Sequence, residues 1–140
     1  MPLLVKRLHK DAKLPVRKSY GAAGYDVYSV QEVTLEPNEY KMVPTGIAMT
    51  VPDGTYGQLA PRSGLASKGV HVGAGVVDID FTGEVKVLLI NLSTIRVSFE
   101  KHERISQLIL HKIEIPEVEE VTELGLTIRG DHGFGSTGKS

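Results

Sequence analysis

Short runs of apolar and β-branched residues, several alternating with polar ones, recur along the chain. They are Asp26-Val27-Tyr28-Ser29-Val30, Val33-Thr34-Leu35, Ile47-Ala48-Met49-Thr50-Val51, Val85 to Ile90, Val97-Ser98-Phe99 and Ile105 to Ile115. A period of two sends successive side chains to opposite faces, so each run is expected to be a half-buried β-strand. Turn-forming clusters separate them: Gly21 to Gly24, Glu36-Pro37-Asn38, Pro52-Asp53-Gly54, Thr82-Gly83, Asn91 to Thr94 and Lys101 to Glu103. Many short strands at even spacing, with 15 Gly and 7 Pro, predict an all-β sandwich or barrel. Two places carry a helical pattern. One is the turn or two from Ser63 through Lys68. In the other, Glu117 to Leu124, Val118, Val121 and Leu124 recur at i, i+3, i+6, a pattern that reads equally as an acidic edge strand. No repeat or linker divides the chain, so one β domain over 1–128 with a loose end over 129–140 is expected.

Within this pattern, Gly73 to Val87 concentrates candidate chemistry. Val76-Val77 and Val85 to Val87 read as two arms of a hairpin turning at Thr82-Gly83. Asp78 and Asp80 stand at i, i+2, which on a strand places both carboxylates on one face. Phe81 follows at once, and the small residues Gly73, Ala74 and Gly75 would let a ligand approach bare backbone.

The end of the chain, Arg129 to Ser140, holds Gly130, Gly133, Gly135 and Gly138 around one Arg, one Phe and a Ser-Thr pair. Such a segment cannot pack a core and loses much entropy on ordering. Its content nevertheless suits an anion, since glycine frees backbone N–H groups, hydroxyls donate and Arg pairs bidentately. Gly133 to Ser140 also matches the P-loop string GxxxxGK[ST]. That loop needs a helix after it and a parallel sheet around it. The sequence ends at Ser140 and shows no strand–helix alternation, so a P-loop is not expected. A second anion-suited stretch is Ala60-Pro61-Arg62-Ser63-Gly64-Leu65-Ala66, with Ser63 as an expected N-cap and Arg62 beside the first helical N–H groups. Taken alone, it is also what an ordinary helix cap looks like.

Composition narrows the class. At 140 residues the chain can bury roughly two thirds of its surface as one domain without staples. It has no cysteine, which excludes disulfides and thiolate metal sites. Sixteen Lys and Arg against 17 Asp and Glu leave a net charge of -1, with no field to attract nucleic acid. The first residues are too short and charged for a signal peptide, and no run approaches the ~18 apolar residues of a membrane span. A soluble intracellular protein, cytoplasmic or nuclear, is expected. The five histidines, His9, His71, His102, His111 and His132, show no metal-ligand spacing.

Read together, these stretches resemble the five ordered motifs of the trimeric dUTPase family: AGYDVYS at Ala23 to Ser29, APRSGLA at Ala60 to Ala66, GVVDIDFTGEV at Gly75 to Val85, ERISQLI at Glu103 to Ile109 and RGDHGFGSTG at Arg129 to Gly138. The resemblance implies a jelly-roll or β-barrel-like fold with one short helix and a flexible C-terminal lid. It further implies a homotrimer with active sites at subunit interfaces, and Mg²⁺-dependent hydrolysis of dUTP to dUMP and pyrophosphate. That reaction keeps uracil out of DNA and supplies dUMP for dTMP synthesis. By the same resemblance Asp78 is the carboxylate that activates water. Arg62, Ser63 and Gln107 match phosphate-contacting positions, with Gly64 counted beside them. Asp26 matches a carboxylate tied to the metal through water. Gly75, Val76 and the hairpin through Lys86 correspond to backbone that pairs with uracil, with Phe81 against the deoxyribose. Arg129, Phe134, Gly135, Ser136 and Thr137 match the segment that closes over base and phosphates.

The chain departs from the family's pattern in places. Phe81 stands where Tyr is usual, His102-Glu103 where Gly-Asp is usual, His132 replaces a Gly and His71 a frequent Asp. None removes a group with a chemical role. Two other readings share the fold: a catalytically silent binding module, which would be expected to lose Asp78, Ser63 or the tail, and a dCTP deaminase, which would need a general base near the nucleobase.

Overall fold

The computed structural model describes residues 1–133. Among them are eleven short strands and one helical turn: β1 Leu4–Arg7, β2 Tyr25–Tyr28, β3 Val33–Leu35, β4 Tyr40–Pro44, β5 Ile47–Thr50, β6 Thr55–Ala60, α1 Ser63–Ala66, β7 Val70–Gly73, β8 Val76–Val77, β9 Lys86–Asn91, β10 Val97–Phe99 and β11 Arg104–Lys112. Every pairing is antiparallel. The four sheets run β1-β5, β10-β3, β2-β11-β6-β8 and β4-β9-β7. This is the expected all-β, jelly-roll-like architecture with one short helix. No helix of the described residues is long and apolar enough to cross a membrane.

Alternation builds the core. On β9, Val87, Leu89 and Asn91 are buried while the residues between them are less so. They meet Leu35, Val43, Ile47, Ile105 and Leu108, all essentially inaccessible to water, each such burial contributing about 1.5–3 kcal/mol. The buried polar groups are satisfied, as burial demands. Asn91 Nδ2 donates to the carbonyls of Leu35, Glu36 and Ile95 at 2.8–3.2 Å. Thr45 Oγ1 donates to Val85 O at 2.5 Å, and Gly46 N–H donates to Glu84 Oε2 at 3.0 Å. These last two bonds fasten the segment before β9 to the β4–β5 turn.

Three expectations are corrected. Val76-Val77 and Val85 to Val87 are not arms of one hairpin. β8 completes the edge of β6, with Gly57 opposite Val77 and Gln58 opposite Val76, whereas β9 lies between β4 and β7 in another sheet. A six-residue strand with a neighbour on each side satisfies its backbone better there than against two residues of β8. The tight turn is Asp78 to Phe81, where Phe81 N–H donates to Asp78 O at 3.1 Å, not Thr82-Gly83. Asp78 and Asp80 therefore sit in a loop, outside any strand, and the same-face argument does not apply to them.

Second, Ser63 is not the N-cap of α1. Arg62 holds that position, with extended backbone and no side-chain cap bond, and its carbonyl accepts from Leu65 and Ala66 N–H at 3.0 and 2.9 Å. Third, Glu117 to Leu124 forms neither helix nor strand. Val118 is 99% exposed and Leu124 87%, so little among the described residues covers the apolar stripe, and a segment this short is not helical alone. The pattern also fails to announce β1, β4, β6 and β7. In β6 the reason is Gly57, whose missing side chain admits Leu108, 2.9 Å from where a Cβ would stand.

Candidate functional site

Five of the sequence-predicted residues, Gly75, Val76, Asp78, Phe81 and Lys86, line one cavity of about 490 Å³. β8 and the loop after it form one wall, the start of β9 another, and Met42 of β4 with Leu59 of β6 contribute apolar surface. The wall is mostly backbone at 74–76, because Ala74 and Gly75 are small and both left-handed, at φ 52° and 94°. Phe81 is 45% exposed and its ring lies over Gly83, where a Cβ would meet Cζ at 3.1 Å. An exposed carboxylate, an exposed ring and bare backbone thus share one concavity, a shape that suits a flat polar ligand.

A second group gathers around Asp26, which is 9% exposed on β2. Its Oδ1 lies 3.9 Å from Arg62 Nε and its Oδ2 3.4 Å from Arg104 Nη1. β11 is the central strand here, pairing Gln107 with Asp26 on one side and with Ala60 on the other. Gln107 Nε2 donates to Pro61 O at 3.0 Å, tethering the loop that leads to Arg62, Ser63 and Gly64. Gly24 makes room for it, since a Cβ there would fall 2.2 Å from Gln107 Oε1. Ser63 and Gly64 open α1 exposed, with no side chain capping their N–H groups, which leaves those donors for an anion. Next to this group, burial first and then the Asp26 carboxylate hold the Tyr28 phenol above its usual pKa.

The two groups are not brought together within one chain: neither Asp26, Arg62, Ser63, Gly64 nor Gln107 lines the first cavity. Arg129 stands apart from both. It is exposed, donates to His132 O within its own segment, and borders a separate shallow depression with Gly130, Asp131, His132 and Gly133. Phe134, Gly135, Ser136 and Thr137 lie outside the described residues.

No group of three or more His, Cys, Asp or Glu residues could hold a metal ion among the described residues. Asp26 is one carboxylate already facing two guanidinium groups. This donor set does not fit a protein-held metal centre. It does fit an ion that keeps its own water shell, and Mg²⁺ dehydrates reluctantly. Two of the histidines make packing or clasp contacts: His111 stacks on Tyr56 with centroids 5.2 Å apart, and His102 Nε2 lies 2.6 Å from Asp11 O.

Arg104 belongs to the Asp26 group although the sequence did not single it out. The available signal was a cation at the head of the strand, but a bulge between Arg104 and Ser106 shifts the alternation and hides which face it serves. Met42 was missed because nothing in YKMVP shows that β4 borders β9.

A family model described as dUTPase matches residues 10–138. A deoxyuridine 5'-triphosphate nucleotidohydrolase of Paramecium bursaria Chlorella virus 1 is 51% identical over 137 residues, covering 97% of each chain. One from Monkeypox virus is 49% identical over 127 residues, covering 91% of this chain and 84% of that protein. Among solved structures, the dUTPase of Staphylococcus bacteriophage 80alpha with dUPNHPP superposes with a TM-score of 0.90 at 31% identity, over 96% of this chain and 97% of that one. A dUTPase from phage phi11 of S. aureus, described with a structural Mg(II) ion, has a TM-score of 0.83 at 25% identity, over 89% of this chain and 99% of that one.

Proposed function

The chain belongs to the dUTPase family, and we propose that it hydrolyses dUTP to dUMP and pyrophosphate through the residues described above. The observation that carries the assignment to these residues is the cavity in which bare backbone, Asp78 and Phe81 meet. Uracil lies against the backbone of Gly75 and Val76, on the wall that runs round to Lys86, and the deoxyribose lies against Phe81. Asp78 orients a water and takes its proton as the water oxygen bonds to the α-phosphorus. The bond to the bridging oxygen breaks and pyrophosphate leaves. Phosphoryl transfer asks little covalent chemistry of the protein, so positioning and charge neutralisation supply most of the rate. Arg62, Ser63, Gly64 and Gln107 provide cation and donors to the phosphates. Asp26 would hold Mg²⁺ through the ion's own water shell, and the bound ion would supply further neutralisation of phosphate charge.

Because the cavity and the Asp26–Arg62 group lie apart in one chain, the site is read as shared between copies in a homotrimer. The extended segment after β11 supports this, since Ile115, Val118, Leu124, Leu126 and Ile128 are all more than 80% exposed on the single chain. Residues 129–140 form the lid in this reading. Arg129 and, beyond the described residues, Phe134, Gly135, Ser136 and Thr137 close on base and phosphates. Removing dUTP limits uracil entry into DNA and yields dUMP for dTMP synthesis, a task suited to a soluble intracellular enzyme, cytoplasmic or nuclear.

Pyrophosphate release from dUTP, dCTP, dTTP and UTP tests the proposal. Release from dUTP well above the other three is expected. No release would favour the silent binding module, and ammonia from dCTP would favour the deaminase.

A further inference from the structure

Ala74 and Gly75 are consecutive left-handed residues in the cavity wall, at φ 52° and 94°. Glycine adopts that conformation freely, but alanine does so only where its surroundings hold it. The side chain of Gln58, on β6 behind the wall, does the holding. Its Nε2 donates to Ala74 O at 3.1 Å and to Leu59 O at 3.2 Å. Both neighbours are carbonyls, so the nitrogen must be the atom that faces them. From the same strand, Leu59 N–H donates to Gly75 O at 2.7 Å. Gly75 is seated so closely that a Cβ would fall 2.7 Å from Leu59 O and 3.1 Å from Gln58 Nε2. Gln58 also stands opposite Val76 in the β6–β8 register, and is not itself among the residues lining the cavity.

We propose that Gln58 is a positioning residue for base recognition, fixing through Ala74 the direction in which residues 74–76 present their backbone to the nucleobase. The inference rests on reading this cavity as the uracil site. Uracil offers an N3–H donor and an O4 acceptor where cytosine offers an N3 acceptor and an amino donor. A wall that discriminates them through peptide groups must therefore keep those groups aimed. When the Ala74 carbonyl loses its donor, the left-handed pair keeps only the Leu59 N–H bond to Gly75 O and its aim is loosened. Asp78, beyond β8, keeps its own turn through the Phe81 N–H bond to Asp78 O, so the chemical step is spared.

The test compares Gln58→Met, which keeps length but has no donor, with Gln58→Lys, which keeps an N–H donor at similar reach, in the full chain. For Gln58→Met, KM for dUTP is expected to rise roughly three- to tenfold, the scale of one lost hydrogen bond. The preference for dUTP over dCTP should fall by a similar factor, with kcat within about twofold. Gln58→Lys should behave nearly as the natural chain. Adding Ala74→Gly to Gln58→Met should recover part of the KM, because glycine needs less holding. Gln58→Glu, whose carboxylate cannot donate to Ala74 O, is a second removal of the same contact and should show the same KM shift if the Met variant does not fold. An unchanged KM and preference, Lys as impaired as Met, or a loss confined to kcat would overturn the proposal. A natural chain that fails to release pyrophosphate from dUTP would instead overturn the reading of the cavity.

Discussion

Gly24→Ala tests how the anion-facing loop is held. A Cβ at this position would stand 2.2 Å from Gln107 Oε1, 2.9 Å from Gln107 Cβ and 3.0 Å from its Cδ. The backbone of Gln107 cannot retreat, since β11 is hydrogen-bonded to β2 and β6 on its two sides. Only the side chain beyond Cβ can swing away, and it then loses its 3.0 Å bond to Pro61 O. Gly24 is not among the left-handed glycines, so backbone strain does not enter. Crowding costs about 1–3 kcal/mol, and the lost hydrogen bond adds about 0.5–1.5 kcal/mol. Stiffening the unfolded chain returns about 0.4–1 kcal/mol. The net loss of about 0.5–4 kcal/mol corresponds to a fall in Tm of about 2–14 °C for a chain of this size. With Pro61 untethered, Arg62, Ser63 and Gly64 should hold phosphate less well, and KM for dUTP should rise roughly tenfold. Thermal unfolding and pyrophosphate release are measured for Gly24→Ala, Gln107→Ala and the double variant. If Gly24 exists to admit Gln107, the share of the penalty due to Oε1 and Cδ should vanish in the Gln107→Ala background, leaving only the 2.9 Å approach to Cβ, which alanine retains. The same penalty in both backgrounds, or a Gly24→Ala chain indistinguishable from the natural one, refutes the reasoning.

Asp78→Asn keeps shape but not basicity, so kcat should fall roughly 10²–10⁴-fold while nucleotide still binds in a calorimetric titration; near-normal turnover would move the role, with Asp80 next in line. Phe81→Ala removes the ring over Gly83 and should raise KM for dUTP roughly three- to tenfold and narrow the preference over UTP; an unchanged preference would place the sugar filter in the backbone. A chain ending at Ile128 should fold and assemble normally yet turn over dUTP far more slowly, and full activity would remove the lid from the mechanism. Light scattering should give about three times the 15.2 kDa of one chain, and an active monomer would end the shared-site reading.

The strand pattern was legible where alternation is local. Val33–Leu35 and Val97–Phe99 have the bounds that the sequence predicts, and β11 lies within a residue of its predicted start. Alternation tells which face a side chain takes, but not which strand it will meet. That is why Val76-Val77 and Val85 to Val87 read as one hairpin and prove to belong to two sheets. The same blindness hid Gln58. A glutamine in TYGQLA carries no signal until β6 and β8 pair and bring its amide under Ala74 O, 16 positions away.

Glu117 to Leu124 misled for a further physical reason. An i, i+3, i+6 apolar pattern reports only that one side of the segment avoids water, not that the segment is helical or that its cover comes from the same chain. Among the described residues that cover is absent: Ile115 is 81% exposed, Val118 99%, Leu126 103% and Ile128 108%. Between them stand Glu117, Glu119, Glu120 and Glu123, whose mutual repulsion opposes a compact helix. So many large apolar side chains exposed within one segment mark an interaction surface. The residues of the proposed site are divided in the same way, with Phe81 and Asp78 at one cavity and Arg62 and Gln107 elsewhere. In the proposed trimer a single arrangement answers both, since a neighbour that covers the segment also supplies the missing half-site. One chain's alternation cannot encode that arrangement, because in it the complementary surface is the same sequence seen from another copy.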